Sequence, residues 1–118
     1  MTRTPLLECS FLIPLRRDRS LSDGRPHLPA TWAWLEHELI DLGGLSRDPD
    51  REGCYHDRDT GEVVWDRSRH YVVALPRTQV DELRRLLRQA CRKFRQKCIY
   101  LSVTGKVEFV EGASDAPE

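Results

Sequence analysis

The sequence predicts one α+β sandwich, an antiparallel sheet with two helices on one of its faces. Three observations predict it. Apolar residues alternate with period two around 6–15, 70–75 and 99–110, as half-buried strands require. They recur at steps of three and four within 30–42 and 80–94, as amphipathic helices require. A length of 118 residues leaves room for one domain.

Each element has its own signal. Over 6–15, Leu7, Cys9, Phe11, Ile13 and Leu15 share one face and Leu6, Glu8, Ser10 and Leu12 the other. Residues 16–29 predict a polar loop broken by Gly24, Pro26 and Pro29, long enough to carry function. Pro29 in a first turn and Gly43-Gly44 as a stop bound a helix with the stripe Trp32, Leu35, Leu39 and Leu42. Trp34 falls off that stripe, beside Glu38 and Asp41, either covered by a loop or exposed as a contact residue.

Residues 45–68 predict loop and short strands. Asp48-Pro49-Asp50 marks a turn, and Asp59-Thr60-Gly61 marks a hairpin between Cys54-Tyr55 and Val63-Val64-Trp65. A separate strand runs from His70 to Leu75 and stops at Pro76. Thr78-x-x-Asp81 resembles a capping box, with Asp in place of Glu or Gln, opening a helix with the stripe Val80, Leu83, Leu87, Cys91 and Phe94. Asp81 and Glu82 suit the positive end of its dipole, Arg92 to Lys97 the negative end. Ile99, Leu101 and Val103 form a strand, and Thr104-Gly105-Lys106 turns it into Val107–Glu111.

In order these elements follow the ferredoxin-like βαββαβ plan with an extra hairpin and a C-terminal strand. The chain is expected to be a single domain over 1–118, with an ordered core over about 5–111 and a frayed acidic tail at 112–118. Leu6, Leu12 and Tyr100 fall on the uncovered face of the sheet, which predicts a homodimer through that face.

Composition narrows the functional classes. Nineteen Lys and Arg balance nineteen Asp and Glu, and 39% hydrophobic with 32% charged residues is not the composition of a disordered chain. The longest apolar run, Phe11–Leu15, is strand-sized, with no basic segment before it and no cleavage site after it. No membrane association and a cytoplasmic location are therefore expected. Cys9, Cys54, Cys91 and Cys98 show no metal-site spacing, so free structural thiols are expected rather than disulfides.

The run GCYHDRDTGEVVWDRSRHYVVALP, the basic helix after it and the ending FRQKCIYLSVTGKVEFV resemble a group of small uncharacterised bacterial ferredoxin-like proteins. Gly43-Gly44, Gly53, Tyr55, Asp57, Gly61, Asp66, Ser68 and Tyr71 carry the resemblance, which covers residues 6–111. It implies the fold and assigns no activity or catalytic residue.

Three constellations bear on chemistry. Of the cations sixteen are Arg, from genomic habit or from a need for bidentate anion contacts. Arg84, Arg85, Arg88, Arg92 and Arg95 fall in one sector of the second helix, a solvated back or a surface for an acidic protein or nucleic acid. Topology predicts an edge that gathers Arg16, Arg17, Arg19, Arg25, His27, Arg92, Arg95 and Lys97 with Asp57, Arg58 and Asp59. Cys54, His56 and Asp57, with His70, are metal-ligand or catalytic types at no recognised spacing, and His27, His37 or Asp66 would have to complete a metal shell. Asp57, Asp59, Asp66, Glu52 and Glu62 are turn formers or a magnesium set.

No cofactor or metal motif is present. The sequence alone therefore favours a small non-enzymatic binding module for a polar or acidic protein, using Arg16, Arg17, Arg19, Arg84, Arg88, Arg92, Arg95 and Trp34. Its alternatives are nucleic-acid binding through the Arg helix and a small enzyme centred on weak candidates His56, Asp57 and His70.

Overall fold

In the computed structural model, which describes residues 5–112, seven elements follow one another. They are β1 (Leu6–Pro14), α1 (Pro29–Leu42), β2 (Ser46–His56), β3 (Val63–Pro76), α2 (Val80–Lys93), β4 (Cys98–Val103) and β5 (Lys106–Glu111). The strands form one antiparallel sheet in the order β2-β3-β1-β4-β5. Of the expected tail over 112–118, residues 113–118 lie outside the described residues.

Both helices cover the same face. Cys9, Phe11, Ile13, Tyr71, Val73, Leu75, Ile99, Leu101 and Val110 point into it and meet Leu35, Leu39, Leu83, Leu86, Leu87, Ala90, Cys91 and Phe94. Each fully buried Leu in this layer contributes about 1.5–3 kcal/mol over an exposed one. Tyr71 donates from its hydroxyl to Glu36 Oε2 at 2.7 Å, fastening β3 to α1. Arg84 holds both carboxylate oxygens of Glu108, at 2.8 and 3.1 Å, fastening α2 to β5.

The expectations need four corrections. Asp48-Pro49-Asp50 is not a turn between elements but a bulge inside β2, where the register slips between Asp48 and Arg51. β2 is an edge strand, so the amide that proline lacks costs no ladder bond there. Val63–Trp65 and His70–Leu75 are one continuous strand, β3, whose 14 residues span about 46 Å and account for a molecule 54 Å long. The capping box does not form: Thr78 lies in a 3-10 turn over Arg77–Gln79, and no side chain caps α2. The Arg sector is also broken, because Arg84 turns to Glu108 and Asp81, and Arg95 lies beyond the helix with φ 51°.

Gly43 and Gly44 end α1 with φ of 149° and 121°, and their amides donate to Leu39 O at 3.1 and 2.9 Å. Among the described residues no helix is long and apolar enough to cross a membrane, and the four cysteines are free thiols.

Candidate functional site

Among the described residues no helix packs on the other face of the sheet, where His70 and Ser68 are nevertheless buried, and its register builds a row across all five strands. Asp48 pairs with His70, His70 with Leu12, Leu12 with Tyr100, and Tyr100 with Phe109. His70 Nδ1 lies 3.7 Å from Asp48 Oδ2, and the Tyr100 and Phe109 rings meet edge to face at 5.9 Å. Leu6, Val107 and Phe109 are exposed on the same face. Alternation along β3 puts Ser68 and Asp66 there too.

At one end of this face the β2–β3 hairpin supplies a polar site. Tyr55 pairs with Val64 and Gly53 with Asp66, so Tyr55 and Asp66 are diagonal neighbours on one face, within reach of an aromatic side chain. Gly53 has no side chain to cover Asp66, and nothing lies within 4 Å of the position a Cβ would take. Burial pushes the Asp66 carboxyl above its ordinary range; an Arg67 backbone hydrogen bond opposes this and Asp18 adds to it. Burial likewise pushes up the Tyr55 phenol, helped by Asp66, Asp18 and Asp57. Cys98 is raised by burial, then by Glu111 and Asp18.

Local turns hold these groups. Asp57 Oδ1 accepts from the amides of Asp59 and Thr60 at 2.8 and 3.3 Å, and Gly61, with φ 73°, closes the turn onto Asp57 O. Lys97 Nζ binds Asp59 Oδ2 at 3.0 Å, tying the hairpin tip to the start of β4. The β1–α1 loop brings Asp18, whose amide donates to Arg95 O at 3.0 Å and whose Oδ1 accepts from Ser20. Gln96 Nε2 donates to Arg16 O at 2.8 Å, so the loop rests on the end of α2.

The structure thus brings Arg16, Arg17, Gln96, Lys97 and Asp59 to one end of the sheet, but most of the cations serve the loop itself. Arg17 pairs with Asp23 at 3.0 Å, and Arg19 lies against Gly24. Trp34 is half-buried, with Lys93 Nζ 5.1 Å from its ring centroid, in a groove shared with Gln89, Arg92 and Arg95. Arg85 lies in a groove with Glu38, Asp41 and Glu82, and Arg88 is exposed.

The expected centre on His56, Asp57 and His70 does not assemble. His56 pairs with Val63, seven residues from His70, which is about 23 Å of strand. Among the described residues no group of three or more His, Cys, Asp or Glu is placed to hold a metal ion.

No family model matches the chain, and no curated protein sequence matches it significantly. Two solved structures do match. A phage SAM lyase in complex with S-methyl-5'-thioadenosine aligns with 100% of this chain and 97% of its own, at a TM-score of 0.71 and 11% identity. A phage SAM lyase in its apo state aligns with 100% and 98%, at 0.64 and 14%. At these identities the likeness is one of fold.

Both of the solved structures that share this fold end to end are of enzymes. This finding corrects the expectation of a non-enzymatic module for a polar or acidic protein, together with its nucleic-acid alternative.

Sequence reading missed Asp18 altogether and met Tyr55 and Asp66 only within broader sets. The signal for Asp66 was present in the Val64, Asp66, Ser68, His70 alternation, which puts it on the face away from the core.

Proposed function

We propose that this protein is a lyase acting on S-adenosylmethionine or a closely related sulfonium nucleoside, and that the site lies on the open sheet face at Tyr55, Asp66 and Asp18. The observation that carries this reading is the full-length fold match to a SAM lyase holding S-methyl-5'-thioadenosine. The chemistry of the residues supports it. An aromatic ring suits a purine, and carboxylates in a partly desolvated setting suit a sulfonium cation.

In the reaction the S–Cγ bond breaks with its electron pair moving to sulfur, which ends as a neutral thioether. The four-carbon fragment leaves by closure of its own carboxylate onto Cγ or by loss of a neighbouring proton. No water enters. Because the positive charge disappears, a carboxylate held against sulfur favours the bound substrate over the transition state. Asp66 and Asp18 therefore serve binding. The partial burial around Asp66 favours the charge-neutralising step, because charge is costlier away from water.

The sheet order is read here as the ferredoxin-like plan with β5 added beside β4. A second copy of the chain is proposed to cover the apolar part of the open face, where Phe109 is 63% exposed.

The test is ligand binding observed by NMR. S-Methyl-5'-thioadenosine and S-adenosylmethionine are each titrated into the protein, and the Tyr55, Asp66 and Asp18 signals are expected to shift. Shifts confined to the helix layer would overturn the placement, and no shifts at all would overturn the reading.

A further inference from the structure

His27 is the one buried residue of the loop over 15–28. Its Nε2–H donates to Pro14 O at 2.8 Å. The ring stands edge-on to Phe94 at 4.8 Å and to Trp32 at 5.4 Å, so it plugs the gap between α1 and the end of α2. Nδ1 is buried and has no hydrogen-bond partner among the described residues. The charges acting on the ring are the guanidiniums of Arg17, from its own loop, and Arg69, from β3. Arg69 stacks over Trp32 at 4.0 Å, and Glu36 of α1, the nearby carboxylate, is already held by Arg69 and by Tyr71.

We propose that His27 is a positioning residue that works as a latch: the loop carrying Asp18 keeps its place only while this imidazole is neutral, and mild acid releases it. A proton on Nδ1 would put an unpaired donor and a charge among two aromatic rings and two guanidiniums. Leaving the cavity is the ring's route to solvation, and the rest of the loop is tied to the body of the fold by polar contacts, Leu15 N to Arg67 O, Asp18 N to Arg95 O and Gln96 Nε2 to Arg16 O.

Burial, the largest cause, lowers the pKa; the Pro14 carbonyl opposes it, and Arg17 and Arg69 lower it further. A free ring titrates near ~6.5. Stability from the neutral ring is therefore complete above that value and is lost as pH falls from it through the folded-state pKa. The consequence for turnover, through Asp18, rests on the lyase reading; the latch itself does not.

The full chain, without substrate, is followed by NMR from about pH 7.5 to about pH 5, reading the His27 ring and the amides of residues 16–26. The expected result is a shift of the loop amides with the same midpoint as the ring, and its loss in His27→Asn, which keeps a donor for Pro14 O but does not titrate. A ring that titrates while the loop amides stay still would overturn the latch. So would a loop that moves equally in His27→Asn, or a ring that stays neutral until the whole chain unfolds. Because no substrate is present, a chain without lyase activity leaves this test intact.

Discussion

Tyr55 and Asp66 face the same side of the β2–β3 ribbon on diagonal positions, and Gly53 opposite Asp66 puts no side chain over the carboxyl. Asp66 adds to the burden on the phenol, which burial shifts up first; the carboxyl is itself shifted up by burial, with an Arg67 backbone bond opposing and Asp18 adding to it. An acid kept partly dry, beside an aromatic ring and a second carboxylate, is poorly placed for stability and well placed for a cation.

Asp66→Asn tests that trade. In the folded chain the raised carboxyl disfavours its charged form, so its ionisation costs stability as pH rises above the ordinary carboxylate pKa. The variant is expected to unfold at the same or a higher urea concentration than the parent at neutral pH. Its KM for S-adenosylmethionine is expected to rise about tenfold, ~1.4 kcal/mol, with a smaller change in kcat. A lower unfolding midpoint would show that Asp66 is structural.

Tyr71→Phe removes the 2.7 Å bond to Glu36 at the α1–β3 seam and is expected to cost about 1–2 kcal/mol in urea unfolding. Burial, the main cause, pushes the Tyr71 phenol up to about 12. Stability from the neutral phenol is full below the unfolded value near ~10 and is lost as pH rises toward the folded one. The parent should therefore weaken in alkali over that window, and the variant should show a shallower decline.

Arg84→Ala breaks the fork to Glu108 and the bond to Asp81. The partners are partly exposed, so the expected loss is about 0.5–1.5 kcal/mol, reduced by salt. A denaturation series at low and high salt checks both the size and the screening.

Phe109→Asp places a charge at the exposed end of the row Asp48, His70, Leu12, Tyr100, Phe109. With a second copy on that face, the variant is expected to be smaller by light scattering at the same concentration, with unchanged circular dichroism. An unchanged mass would remove self-association through this face.

The core was legible in the sequence because burial writes a period. Leu7, Cys9, Phe11 and Ile13 on β1, Leu35 and Leu39 on α1, and Leu83, Leu87, Cys91 and Phe94 on α2 were all read from spacing, and all face the core. β2 was not legible as one strand: every residue from Ser46 to His56 is exposed, so no apolar alternation marks it, and Pro49 mimics a turn. The site was hidden for a related reason. Tyr55 meets Asp66 only through the pairing register of a hairpin, and Asp18 joins them through a loop whose anchor, His27, gives no periodic signal. The Arg stripe misled because periodicity gives a direction but no partner, and the partner of Arg84 stands 24 residues away on β5.

The most direct test incubates the purified chain with S-adenosylmethionine and measures S-methyl-5'-thioadenosine by chromatography against a buffer control. Release in proportion to protein concentration is expected, reduced in Asp66→Asn at low substrate and restored by raising it. Substrate recovered at the level of the buffer control, at every protein concentration, would contradict the lyase reading.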